Sequence, residues 1–193
     1  MLSQVRRAFP RHWLDPLALA LGRLGLTPNG LTVLGVVISA AAALALALGN
    51  FPLGGVLILL GGLFDMMDGA LARATNQATK FGALLDSTLD RVSEAIVLLG
   101  LVVPFAAAGN LLVVVLVFAA MVGSFMVSYV RARAEGLGLE CQDGLFTRPE
   151  RVVVLALGLI VGLAIPALGL LAAMANFTAL QRLLQMRREA DRA

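Results

Sequence analysis

Three runs without a charged residue, Leu24 to Phe64, Ala95 to Val130 and Val152 to Gln181, constrain this chain more than any other feature. Each exceeds the ~20 apolar residues that carry one helix across a bilayer. Continuous apolar runs of this length satisfy their backbone polar groups in hydrocarbon as α-helices. Gly, Asn and Pro interrupt them at Gly49-Asn50-Phe51-Pro52, at Pro104 with Gly109-Asn110, and at Ile165-Pro166, which predicts a helical hairpin from each. The expected fold is therefore an all-α polytopic membrane helical bundle with six transmembrane helices. With 60% hydrophobic residues, a mean hydropathy of +0.92 and no linker-like segment, residues 1–193 read as one membrane domain whose core covers 27–188. The third run barely covers two short spans and requires snorkelling arginines or burial within protein.

Charge sets the orientation. The hairpin tips contain no Lys or Arg, whereas the termini and the two long connections hold the basic residues. By the positive-inside bias, both termini and both charged loops face the cytoplasm, in the cell (inner) membrane. Residues 1–26 mix Phe9, Trp13, Leu14 and Leu17 with Arg6, Arg7, Arg11 and Arg23, the pattern of an N-terminal interfacial helix rather than a cleaved signal peptide. A net charge of +3 reflects these inner loops and not nucleic-acid binding. The single cysteine, Cys141, excludes an intramolecular disulfide, and the single histidine, His12, leaves too few soft ligands for an ordinary zinc or copper site. Any metal must sit on carboxylates. His12 and Cys141 themselves read as bystanders.

Four acids break the apolar rule: Asp65 and Asp68 near the end of the second span, Asp86 and Asp90 near the start of the third. Spacings of i, i+3 and i, i+4 put each pair on one helical face, and a short connection sets the two helices antiparallel with the pairs at similar depth. Four converging carboxylates repel one another unless cations lie among them, and oxygen-only ligation points to Mg²⁺ or Mn²⁺. Salt bridges to Arg73, Lys80 and Arg91 are the plainer reading. Ion-coupled transport is another, although transporter acids usually sit near the bilayer midplane and these lie at span ends.

The run Asp65-Met-Met-Asp68-Gly69-Ala-Leu-Ala72-Arg73, followed by Gly82, Asp86 and Asp90, resembles the signature of the CDP-alcohol phosphotransferase family, with every fixed position filled. Thr27-Pro28-Asn29-Gly30-Leu31-Thr32 is similar to the segment that opens the first span in that family. The resemblance implies a phospholipid biosynthesis enzyme in which an alcohol hydroxyl displaces CMP from a CDP-linked lipid. It implies two metal ions on Asp65, Asp68 and Asp86, with Asp90 as general base and a further ligand. It also implies a CDP pocket lined by Gly69, Ala72, Arg73 and Gly82, to which Asn29 and Thr32 are added. A homodimer is implied by the same resemblance.

Ser128-Tyr129-Val130-Arg131-Ala132-Arg133-Ala134-Glu135 and Arg148-Pro149-Glu150-Arg151 resemble the phosphatidylinositol-phosphate synthase branch, whose acceptor is inositol phosphate. Ser128, Arg131 and Arg151 match that branch's phosphate-binding positions, and Arg182 is a fourth candidate; Arg131 stands where the branch often has Lys. Arg131, Arg148 and Arg151 flank helix ends on the side of the acids, where a phosphorylated acceptor would explain them. Phosphatidylglycerophosphate synthases also take a phosphorylated acceptor and remain the alternative. Glu94, one turn beyond Asp90, reads as a partner of Arg91 or of the site rather than as a catalytic group.

Overall fold

The structure is a computed structural model that describes residues 11–141 and 144–190. Among these, seven helices and no strand occur: α1 Arg11–Arg23, α2 Pro28–Ala47, α3 Phe51–Ala74, α4 Lys80–Ala107, α5 Leu111–Gly136, α6 Arg148–Ile160 and α7 Ala164–Ala190. Local chemistry sets most of the starts. Thr27 and Thr79 accept from the backbone amides of Gly30 and Gly82 at 3.1 and 2.9 Å, and Asn50 and Asn110 accept from Leu53 and Val113 at 3.2 and 3.3 Å. At α6, Glu150 reaches back to the Thr147 amide at 2.8 Å, one half of a capping box.

The first two hairpins turn at Gly49-Asn50 and Gly109-Asn110, as expected, although α4 runs through Pro104 before it ends. The third turns earlier than expected. The break falls at Gly162, whose φ of +77° lies in the left-handed region that favours glycine, and Pro166 sits in the first turn of α7. Proline is tolerated there because first-turn amides have no intrahelical partner to lose. As a result α6 has only 13 residues while α7 has 27.

Among the described residues, four helices (α2, α3, α5 and α7) are long and apolar enough to cross a membrane. Their outward faces carry exposed Val37, Leu44, Val56, Phe118 and Phe177, side chains suited to lipid. The buried core joins Leu46 of α2, Ile58 of α3, Leu98 and Leu101 of α4, Val117 of α5, Leu159 of α6 and Leu168 and Leu171 of α7. α1 packs on α3, where Ala18 meets Met67, Ala70 and Leu71 beside Leu31. Much of the interfacial-helix expectation, including Arg6, Arg7 and Phe9, lies outside the described residues, as do the side chains of Arg11, Trp13 and Leu14.

α2 and α4 touch backbone to backbone. A Cβ at Gly100 would lie 2.3 Å from the carbonyl oxygen of Ala43. Small residues permit such approaches in lipid, where no hydrophobic force draws helices together. Gly100→Ala must push the two helices apart, at a cost of about 1–3 kcal/mol. The expected outcome is a thermal midpoint in detergent several degrees lower, with no change for Val115→Ala on the exposed face of α5. An unaltered midpoint for Gly100→Ala would contradict the contact.

Candidate active site

The site lies where the end of α3 meets the start of α4. Residues 75–79 connect the two helices, and Asn76 adopts a φ of 54°, a left-handed conformation that Asn tolerates. The turn brings one carboxylate oxygen each from Asp65, Asp68 and Asp86 within 4.8 Å of one another. Asp68 is buried at 4% exposure and accepts a 2.7 Å hydrogen bond from the Thr32 hydroxyl on α2. Asp90 stands beside this trio. Arg148, at the start of α6, forms an ion pair with its Oδ1 at 2.8 Å and donates a hydrogen bond to Asp65 Oδ2, so one guanidinium joins the two carboxylates.

Three clustered hard oxygen donors, one oriented by a hydroxyl, are the donor chemistry of a Mg²⁺ or Mn²⁺ site, and Asp65, Asp68 and Asp86 could hold such an ion. The plainer salt-bridge reading explains less. Arg148 was not among its expected partners, and Arg91 turns its guanidinium to the Ser87 carbonyl while lying 3.8 Å from Asp90.

The carboxylates stand between two unlike cavities. One, of about 210 Å³, is lined by Asp68 and Asp86 and by all six residues expected at the CDP-lipid: Asn29, Thr32, Gly69, Ala72, Arg73 and Gly82. Its glycines keep it open, since a Cβ at Gly82 would come 3.4 Å from Asn29 Oδ1 and one at Gly69 3.1 Å from the Arg73 guanidinium. The other, of about 60 Å³, shares Thr32 with the first and is lined by Asp65, Asp90, Ser39, Ser93, Glu94, Arg148 and Arg151 together with apolar residues and glycines.

The residues expected at the acceptor phosphate divide. Arg148 and Arg151 line the smaller cavity. Arg131 is exposed and pairs with Glu135 on its own helix at 2.8 Å. The Ser128 hydroxyl donates to the Ser124 carbonyl at 3.3 Å, and Arg182, buried at 4% exposure, donates to the Val127 carbonyl at 2.7 Å, tying α7 to α5. Two features escaped the sequence reading. Arg151 takes Glu94 as its partner, through Nε to Oε1 at 2.9 Å and Nη2 to Oε2 at 3.0 Å. Ser93 is buried in the cavity wall, and its place between Arg91 and Glu94 in the sequence gave no signal of that burial.

The family model for CDP-alcohol phosphatidyltransferase matches residues 25–182. The chain belongs to that family. This CDP-alcohol phosphatidyltransferase is 37% identical over 190 residues to the archaetidylinositol phosphate synthase of Methanothermobacter thermautotrophicus, covering 95% of this chain and 93% of the relative. It is 45% identical over 148 residues to the phosphatidylinositol phosphate synthase of Mycobacteroides abscessus, covering 76% of this chain and 67% of the relative. Its fold is similar to the crystal structure of Mycobacterium tuberculosis phosphatidylinositol phosphate synthase with CDP-DAG bound, at a TM-score of 0.82 and 35% identity over 90% of this chain and 93% of that one. A second crystal structure of the same synthase, in complex with manganese and citrate, gives a TM-score of 0.82 and 36% identity, covering 90% of this chain and 88% of that one. Family membership answers the transporter reading, since the chain belongs to a transferase family.

Proposed function

We propose that this enzyme transfers a phosphatidyl-type group from a CDP-linked lipid to inositol phosphate and releases CMP. The observation that carries the reading is the carboxylate cluster between two unlike cavities, one glycine-lined and of about 210 Å³, the other of about 60 Å³ and flanked by two arginines. Similarity to synthases named for inositol phosphate, archaetidyl and phosphatidyl alike, supports the acceptor. The CDP-DAG-bound relative supports the donor.

In the reaction, the acceptor hydroxyl forms a bond to the lipid-bearing phosphorus as the bond from that phosphorus to CMP breaks, and CMP departs with the electron pair. Asp90 takes the hydroxyl proton, being adjacent to the cluster yet outside the trio that converges. Asp65, Asp68 and Asp86 would hold the metal, with Thr32 fixing Asp68, and Asp90 is a further candidate ligand. Two divalent cations, Mg²⁺ or Mn²⁺, would supply the charge that neutralises the diphosphate and stabilises CMP as a leaving group. Gly69, Ala72, Gly82 and Asn29 leave room for the nucleotide, and Arg73 offers it positive charge. Arg148 and Arg151 receive the acceptor's phosphate, while Ser128, Arg131 and Arg182 would have to turn toward it from their present partners.

Six spans complete the reading, with α4 and the short α6 crossing beside the four apolar helices and α1 lying at the interface. The charge distribution favours a cytoplasmic site in the cell membrane. A homodimer is supported by the exposed small residues Ala40 and Ala41 on α2, which permit close helix contact.

An acceptor panel tests the proposal: CMP release from a CDP-lipid with inositol phosphate, glycerol phosphate, free inositol or serine. Inositol phosphate is expected to give the highest kcat/KM, by roughly tenfold or more over the unphosphorylated alcohols, the worth of one charge-assisted phosphate contact. Preference for glycerol phosphate would move the enzyme to the phosphatidylglycerophosphate synthases. Preference for free inositol or serine would remove the acceptor-phosphate site.

A further inference from the structure

α4 and α6 face each other across the smaller cavity, and two ion pairs bridge them. Asp90 and Glu94 stand one turn apart on α4, and Arg148 and Arg151 one turn apart on α6. Arg148 meets Asp90, and Arg151 meets Glu94 through two parallel bonds of 2.9 and 3.0 Å, the fork-to-fork geometry. Arg151 is 2% exposed, and its remaining terminal nitrogen, Nη1, has no hydrogen-bond partner among the described residues. Glu94 and Arg151 both line the cavity.

These facts fit together in one way. A guanidinium is planar and offers its donors as a rigid fork, so two bonds to Glu94 on one edge fix where the third nitrogen points. Burying an N–H donor without an acceptor is unfavourable, and an anionic oxygen in the cavity relieves it best. Glu94 has a second effect. Asp65 and Asp90 line the same cavity and already hold Arg148, and without an acid of its own Arg151 would be drawn toward them.

We infer that Glu94 is a positioning residue of the acceptor site, clamping Arg151 so that Nη1 is presented to the phosphate of the polyol phosphate and kept off the carboxylates of the reaction centre. The inference rests on the acceptor reading given above, in which Arg151 binds that phosphate. Glu94 is absent from the lining of the CDP pocket and from the clustered trio.

A double-mutant cycle on the full chain tests this, using Glu94→Gln, Arg151→Gln and the pair together, with inositol phosphate and a CDP-lipid varied in turn. Glu94→Gln is expected to raise KM for inositol phosphate by about tenfold, with a smaller change in kcat and none in KM for the CDP-lipid. The double variant should be no worse than Arg151→Gln alone, because Glu94 acts through Arg151. Glu94→Asp, which keeps the charge on a shorter arm, should restore part of the loss. It also gives the readout if Glu94→Gln does not survive purification. Effects that multiply in the double variant, or a rise in KM for the CDP-lipid equal to that for the acceptor, would overturn the inference. If Arg151→Gln impairs acceptor use and Glu94→Gln does not, the positioning role alone fails. If Arg151→Gln leaves acceptor use unchanged, the acceptor reading fails and this inference goes with it.

Discussion

Asp65→Asn, Asp68→Asn and Asp86→Asn are each expected to abolish CMP release and weaken Mn²⁺ binding together, whereas Asp90→Asn is expected to lose turnover with Mn²⁺ binding largely retained. The difference follows from geometry. One oxygen from each of the first three converges within 4.8 Å, so removing any one charge dismantles a shared site, while Asp90 stands to the side against Arg148. Losses at supporting groups around a metal already amount to about 10–100-fold, so removing a ligand is expected to exceed that range. Loss of a general base lowers kcat by about 10²–10⁴-fold. Titration calorimetry with Mn²⁺ and a CMP-release assay on each variant check both parts. CMP release that resists EDTA would contradict the metal site, and near wild-type turnover by Asp90→Asn would contradict its role as base.

Arg151→Gln is expected to raise KM for the phosphorylated acceptor by about tenfold or more and to leave KM for the CDP-lipid nearly unchanged. A charge-assisted hydrogen bond contributes about 1.5–3 kcal/mol, and Arg151 lines only the cavity away from the nucleotide pocket. Arg151→Gln also leaves Glu94 half-buried without its partner, so some loss of stability accompanies it; initial rates with each substrate varied separately divide that loss from binding. A matching rise in KM for the CDP-lipid would place the arginine in the wrong pocket.

Much of this was legible in the chain itself, for local reasons. The uncharged runs fix helices, and the spacing of Asp65, Asp68, Asp86 and Asp90 fixes which faces meet across the short turn at 75–79. The six residues expected around the CDP-lipid do line one cavity, because they lie on the same facing turns of α2, α3 and α4. Long-range pairings were not legible. Arg148 with Asp65 and Arg151 with Glu94 are 83 and 57 residues apart, and no local pattern relates α6 to the acids it meets. Arg131 shows the opposite case: Glu135 lies one turn ahead of it, an i, i+4 pair visible in the sequence that holds the arginine on its own helix. The third hairpin turns at Gly162 rather than at the expected Pro166, because proline is at home in a first helical turn and Gly162 supplies the left-handed conformation.

Mass-spectrometric identification of the lipid that the purified protein forms from a CDP-linked lipid, inositol phosphate and Mn²⁺ or Mg²⁺, with CMP quantified alongside, tests the proposed transfer most directly. A phosphodiester-linked inositol phosphate lipid and CMP are expected in equal amounts, both absent with EDTA or without the acceptor. CMP released without a new lipid, or a lipid formed only from an unphosphorylated alcohol, would contradict that transfer.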